Sequence, residues 1–292
     1  MLNRQKSLLF MLERAGRPVS HLELTKWAFL LAQEMPSRGG ASFYQFLPYL
    51  YGPFSFCLYQ EVGALVRDGY LVDENNLWRV VADVPRPTAT MPGDVRADAA
   101  RVVDRFKDAT KDTLIEYVYG RFPWFTVNSA LKQLRERPVA EIQVYTVGYE
   151  GWLADGFLDV LLRAGIQRLI DVRSNPVARR YGFHKSTLAR LCGNVEIEYR
   201  HVPQLGIPSE QRQGLNTTSD YEALFARYET ETLPRERRAV AEVAALMTER
   251  PSALMCMEAN PAQCHRSILA KALASNLDLP VQHLGMRNAT RI

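Results

Sequence analysis

A chain of 292 residues can form two domains of ordinary size, and 47% apolar with 23% charged residues is the composition of a globular protein, not a disordered one. The net charge of +4 neither demands nor excludes a nucleic-acid partner, so the placement of charge matters more than its sum. Four cysteines do not make a disulfide framework and suggest a reducing, cytoplasmic compartment; the apolar core LLFML before Glu13 is too short for a signal peptide, and with no bilayer-length apolar run no membrane partner is expected.

Leu8, Leu9, Leu12 and Ala15 recur at a helical period over residues 4–15. Ser20 followed by Glu23 has capping-box spacing and predicts a second helix running to about Gln33. Ser55 opens a third amphipathic run with Leu58, Val62, Leu65 and Val66, which Gly69 ends. Tyr70-Leu71-Val72, a polar turn at 73–76 and Leu77–Val80 read as a hairpin. Three helices and a hairpin are the order of a winged helix, and equally of a small α+β interaction domain. Residues 83–94 (DVPRPTATMPGD) form a connection. Helical patterns resume at about 95–107, 111–119 and 127–136, and 137–142 reads as a linker.

From Val144 strands alternate with helices. Strands are predicted at 144–147, 169–172, 197–199, 253–257 and 281–284. Helices are predicted on the stripe Phe157, Leu158, Leu161, Leu162 and at 185–192, 219–229, 236–248 and 264–275. The expected architecture is therefore an α/β domain at 143–292, a largely parallel sheet flanked by helices. It follows a mainly α domain at 1–138 with a winged-helix-like hairpin. Residues 252–266, SALMCMEANPAQCHR, read as a strand, a polar turn and a helix start, the arrangement in which α/β sheets place ligands.

Four patches in order resemble the DUF488 family: Thr146–Glu150 (TVGYE), Asp171–Pro176 (DVRSNP), Tyr199–Gly206 (YRHVPQLG), and Cys256-Met257-Glu258 with Cys264-His265-Arg266. The resemblance implies a small α/β domain over about 143–285 whose activity is poorly defined. Tyr49–Ser55 (YLYGPFS), the run into Asp68-Gly69-Tyr70-Leu71, and Val118–Trp124 are similar to Panacea, or SocA-like, antitoxin-associated domains. That similarity implies partner recognition or regulation in mobile-element or defence settings.

All four patches follow or end predicted strands, so their side chains are expected to face one cleft. Glu258, Asp171, Glu150 and Cys264 are the candidate catalytic groups, with Glu258 leading because it runs into the polar turn. Arg173, His201, His265, Arg266 and Tyr149 are candidates for binding an anion or nucleotide, with Cys264 and His265 at a helix N-terminus. Cys264 reads either as a low-pKa thiolate or as a small packing residue; Arg266 either grips an anion or pairs with Asp171 or Glu258; Asp171 and Arg173 also have the composition of a plain ion pair. Cys256, Cys264, His265 and His201 are zinc-compatible types, but the two cysteines straddle a strand–loop–helix turn, unlike a C-x-x-C knuckle, so no metal and no other cofactor is assigned. Arg179, Arg180 and Lys185 lie in a basic stretch with Arg173, His184 and Arg190, interleaved with Tyr181 and Phe183, which suits a nucleic-acid backbone or simply a solvated face. His21 and His283 read as structural or surface residues.

The expected function is a nucleic-acid- or nucleotide-directed enzyme. It would hydrolyse an N-glycosidic or phosphoester bond, and the N-terminal domain would hold a polynucleotide or protein partner. The alternative is a non-catalytic sensor or regulator in a defence or toxin–antitoxin system. No Walker-type glycine-rich loop is present, which argues against ATP-driven chemistry.

Overall fold

The computed structural model describes residues 1–82, 87–212, 214 and 217–285; residues 83–86 of the predicted connection lie outside the described residues. The chain divides into two units, residues 1–136 and 137–292.

In the first unit, local caps set the helices. Helix α1 (Asn3–Ala15) ends at Gly16 in the left-handed region, and β1 (Val19–Ser20) leads into α2 (His21–Glu34). The Ser20–Glu23 capping box forms as its spacing predicts. Ser55 Oγ accepts the Leu58 N–H at the start of α3 (Phe56–Arg67). β4 (Leu71–Glu74) and β5 (Leu77–Val80) make the predicted hairpin, turning through Asn75 and Asn76 at positive φ. β1 adds to β5, giving a three-stranded antiparallel sheet, and α4 (Gly93–Phe106) and α5 (Lys111–Arg121) complete a helix-rich unit. A second hairpin, β2 (Leu47–Tyr49) and β3 (Gly52–Phe54), was not predicted. Each of its short strands carries a proline, Pro48 and Pro53, which hides a strand in the sequence.

The helix predicted at 127–136 does not form. Leu131 and Leu134 are about half exposed, so the pattern has no core to bury against. The side chains of Ser129 and Thr126 accept the backbone N–H groups of Leu131, Lys132 and Leu134 instead.

In the second unit, β6 (Val144–Gly148), β7 (Arg168–Asp171), β8 (Glu198–His201), β9 (Ser252–Cys256) and β10 (Val281–Leu284) form one sheet in the order β10-β6-β9-β7-β8, all parallel. The three central strands are buried at every residue, as expected where helices cover both faces, while the edge strands β8 and β10 are half-buried. α6 (Ala154–Arg163) and α7 (Lys185–Asn194) link the strands from β6 to β8. α8 (Thr218–Arg227), α9 (Leu233–Arg235) and α10 (Arg237–Glu249) lead to β9, and α11 (Arg266–Leu277) leads to β10. A hydrophobic core packs Val144, Ile170 and Leu254 with Leu224, Val243, Met247 and Leu269. Among the described residues no helix is long and apolar enough to cross a membrane.

Lys26 of the first unit is buried without a carboxylate partner among its hydrogen bonds. Its ammonium donates to the carbonyls of Tyr51 and Pro53 beside a cleft of about 560 Å³. Burial lowers its pKa to about 7. Between pH 7 and the usual lysine range the unfolded chain then holds a proton that the folded one lacks, so stability rises with pH across that window. Urea unfolding should show wild type gaining on the order of 3 kcal/mol over Lys26→Met between pH 6.5 and pH 9.5, at about 1.4 kcal/mol per pKa unit. Parallel pH profiles for the two proteins would show that Lys26 stays charged in the fold.

Candidate functional site

The strand order creates a crevice at one position. β6 continues through α6 to β7 on one side of it, whereas its neighbour β9 continues through α11 to β10 on the other. Right-handed crossovers in opposite directions put these helices on opposite faces, and the carboxyl ends of β6 and β9 flank the gap. The register places Gly148 beside Cys256, and Asp171 beside both Met255 and His201. The loop after β9 crosses the end of β6: a Cβ at Gly148 would lie 1.9 Å from the Glu258 carbonyl oxygen, so only glycine fits there. Glu150 donates its N–H to the Met257 carbonyl at 2.9 Å and accepts the Ala259 N–H on Oε2 at 2.9 Å.

The expected residues do meet at this rim, but as two clusters. The first centres on Asp171, which is fully buried. Asp171 Oδ1 accepts Arg173 Nε at 2.8 Å and the Arg173 backbone N–H at 3.1 Å; Oδ2 accepts Arg173 Nη2 and the Tyr199 hydroxyl, both at 2.6 Å. Arg173 Nη1 donates to the Phe183 carbonyl at 2.9 Å, and its guanidinium lies 5.1 Å from the centroid of the Tyr149 ring, which stacks on Phe183. His201 Nε2 bonds the Arg173 carbonyl oxygen at 2.9 Å. Burial opposes the Arg173 charge, but the hydrogen bonds and charge of Asp171 outweigh it and raise its pKa. Burial also pushes the Tyr199 hydroxyl up, with Asp171 adding to it, so the phenol stays a donor.

The second cluster lies where the β9–α11 turn folds back on its strand. Cys256, Cys264 and His265 are all buried, and their ligand-type atoms lie within 4.8 Å of one another. Cys256 Sγ donates to Glu258 Oε2 at 3.3 Å and sits 3.8 Å from His265 Nδ1. His265 Nε2 faces the Val172 carbonyl at 3.3 Å, and its ring packs edge-on to Tyr228. A carbonyl can only accept, so Nε2 carries a proton and Nδ1 is the ring nitrogen turned toward Cys256. Arg266, 1% exposed, donates to the carbonyls of Glu258 and Ala259 and to Thr146 Oγ1.

Three expectations change. Arg173 and Arg266 spend their donors on internal oxygens, so neither offers an open fork to a ligand. Cys264 is not a low-pKa thiolate: burial, then Cys256 and Glu258, push its thiol well up against the opposing charge of Arg266. The spacing argument against a metal fails, because the turn brings Cys256, Cys264 and His265 together in space; His201 is bonded elsewhere, to Arg173. Asp171 holds Arg173 and Tyr199 in place, the ion-pair reading of its sequence. Glu258 is half-buried and Glu150 exposed at the rim. Arg179, Arg180 and Lys185 are exposed, and Arg180 Nη1 donates to the Trp152 carbonyl at 2.7 Å, fastening the loop after β7 to the loop after β6. Phe183 is fully buried and offers no stacking face. The sequence reading passed over Tyr199 and Tyr228 as site residues; Tyr199 sits inside a quoted motif, whereas Tyr228 gave no signal.

Residues 154–273 match the family model described as "Domain of unknown function DUF488". The match lies in the C-terminal half of the chain. The matched span takes in the Asp171, Tyr199 and Cys256–Arg266 patches and leaves Thr146–Glu150 just outside it. No curated protein and no solved structure matches the chain.

The second unit is expected to depend on its buried ion pair for stability. Arg173→Met leaves the Asp171 carboxylate buried without its cation and should lower the unfolding free energy by roughly 3–5 kcal/mol. The joint change with Asp171→Asn should lower it by less, because the stranded charge is gone. Equal losses in denaturant titrations would mean that the pair is solvated and not a constraint.

Proposed function

We propose that the rim between β6, β9 and β7 is the working site of a nucleic-acid- or nucleotide-directed hydrolase, with Glu258 as its acid–base group. The observation that carries this reading is the position of Glu258. It is the half-buried carboxylate at the carboxyl end of β9, beside the switch point and next to Cys256. A carboxylate placed between a buried cluster and solvent can exchange protons with a bound group. Anion recognition passes from the buried arginines to Arg179, Arg180 and Lys185, which are exposed on the loop tied to Trp152. An N-glycosidic or phosphoester bond fits these residue types. The N-terminal resemblance to antitoxin-associated domains supports a role in partner recognition for the first unit, in a defence setting.

A second reading, a non-catalytic nucleic-acid or nucleotide sensor, is favoured by one feature. Asp171, Arg173 and Arg266 are engaged internally, so a large part of the polar rim is framework and not reacting apparatus.

Glu258→Gln separates the two. With a panel of DNA and RNA oligonucleotides assayed for base release and strand cleavage, turnover should fall by about 10²–10⁴-fold while binding persists, the range of a lost acid–base group. Turnover unaffected by this change would rule out the assigned role, and binding without any turnover in wild type would establish the sensor. Replacing Arg179, Arg180 and Lys185 together with alanine should flatten the dependence of log K on log salt by up to about 2.7 units, at 0.9 per phosphate contact on duplex DNA. An unchanged slope would place the nucleic-acid interface elsewhere.

A further inference from the structure

Two thiols and an imidazole are buried together at the β9–α11 turn, and neither cluster of polar groups explains why all three are there. Within a core of leucine, valine, isoleucine, alanine, Met247 and Tyr228, they bring three metal-ligand residues to one point. As ligands they fit a known chemistry. Thiolate and imidazole together suit a borderline-soft divalent cation of the zinc class, which takes tetrahedral coordination with short bonds to sulfur and nitrogen.

The distances match that chemistry. Bonds of about 2.3 Å to sulfur and 2.0–2.1 Å to nitrogen put tetrahedral sulfur and nitrogen ligands roughly 3.5 Å apart and two sulfurs roughly 3.8 Å apart. Cys256 Sγ lies 3.8 Å from His265 Nδ1, and the three ligand-type atoms fall within 4.8 Å of one another. Contraction by about 1 Å therefore closes the set around an ion. The surroundings are arranged for it as well. The Val172 carbonyl takes the proton of Nε2 and so leaves Nδ1 as the donor atom, the outer-shell arrangement found around metal-bound histidines. Tyr228 packs against the ring and donates its own hydroxyl to the Leu205 carbonyl, which fixes the imidazole from its edge.

We propose that Cys256, Cys264 and His265 bind a zinc-class divalent cation, with the fourth position on the side of Glu258. Glu258 Oε2 lies 3.3 Å from Cys256 Sγ and is the half-buried group of the four, so this side opens toward the rim. Three protein ligands with an open fourth position are the pattern of a catalytic zinc site, not a structural one. The cation site does not depend on the hydrolase reading; where both hold, Glu258 stands beside water on the metal.

The test uses the reduced full-length protein, stripped with a chelator and titrated with Co²⁺. One equivalent should bind and give both the visible bands of tetrahedral cobalt and a thiolate charge-transfer band, and Zn²⁺ should displace it. Metal should shield Cys256 and Cys264 from alkylation, read peptide by peptide in a mass spectrometer, while Cys57 and Cys192 gain no shielding. Cys264→Ser and His265→Asn should weaken binding by more than the ~10–100-fold that losing an outer-shell partner costs. Cys192→Ser, outside the cluster, should bind as wild type. If the first two variants fail to fold, the cobalt spectrum and the alkylation map of wild type still decide the matter. Absence of the charge-transfer band, or equal alkylation with and without metal, overturns the proposal. Full metal binding in Glu258→Gln with unaltered turnover would end the acid–base role of Glu258 and leave the cation site standing; metal binding in a wild type that turns over no substrate would end the hydrolase reading alone.

Discussion

Taking a guanidinium out of water is costly unless oxygen meets its donors, and among the described residues of the second unit Arg168, Arg173 and Arg266 are buried. Arg168, at the start of β7, reaches Glu198, Glu249 and the Leu246 carbonyl. Arg173, just past the other end of β7, is met by Asp171 and the Phe183 carbonyl; Arg266 is met by Thr146 and the carbonyls of Glu258 and Ala259. Each arginine therefore fixes backbone as well as side chains. Arg173 fixes the loop after β7, and Arg266 fixes the turn after β9 over the end of β6. The close passage of Gly148 under the Glu258 carbonyl completes that arrangement.

This constraint accounts for the chemistry left at the rim. With Arg173 and Arg266 engaged, Arg179, Arg180 and Lys185 are exposed cations in the segment that follows β7, and Glu150 is an exposed and Glu258 a half-buried carboxylate beside the β9–α11 turn. The two clusters are joined through the end of β7, where the Val172 carbonyl meets His265 and the Arg173 carbonyl meets His201. A shift of the β7 end would disturb both.

The strands, most helices and the strand-end placement of the motifs were legible in the sequence, because buried parallel strands and capped amphipathic helices leave strong local patterns. Ser20 with Glu23 and Ser55 marked the helix starts they form. Three things were not legible. Residue type alone does not say whether an arginine faces in or out, so Arg173 and Arg266 read as ligand-binding forks. Leu131 and Leu134 kept a helical period with nothing to bury against. The nearness of Cys256 to Cys264 and His265 depends on how a turn folds back, which spacing along the chain does not encode.

Internal oxygen partners of the buried arginines hold the rim together. Hydrogen exchange compared between wild type and Arg266→Met tests this most directly. Amides of residues 256–265 and of the carboxyl end of β6 should lose protection selectively, while those of β7 and β8 keep theirs. Unchanged protection of the turn in a folded Arg266→Met protein would contradict it.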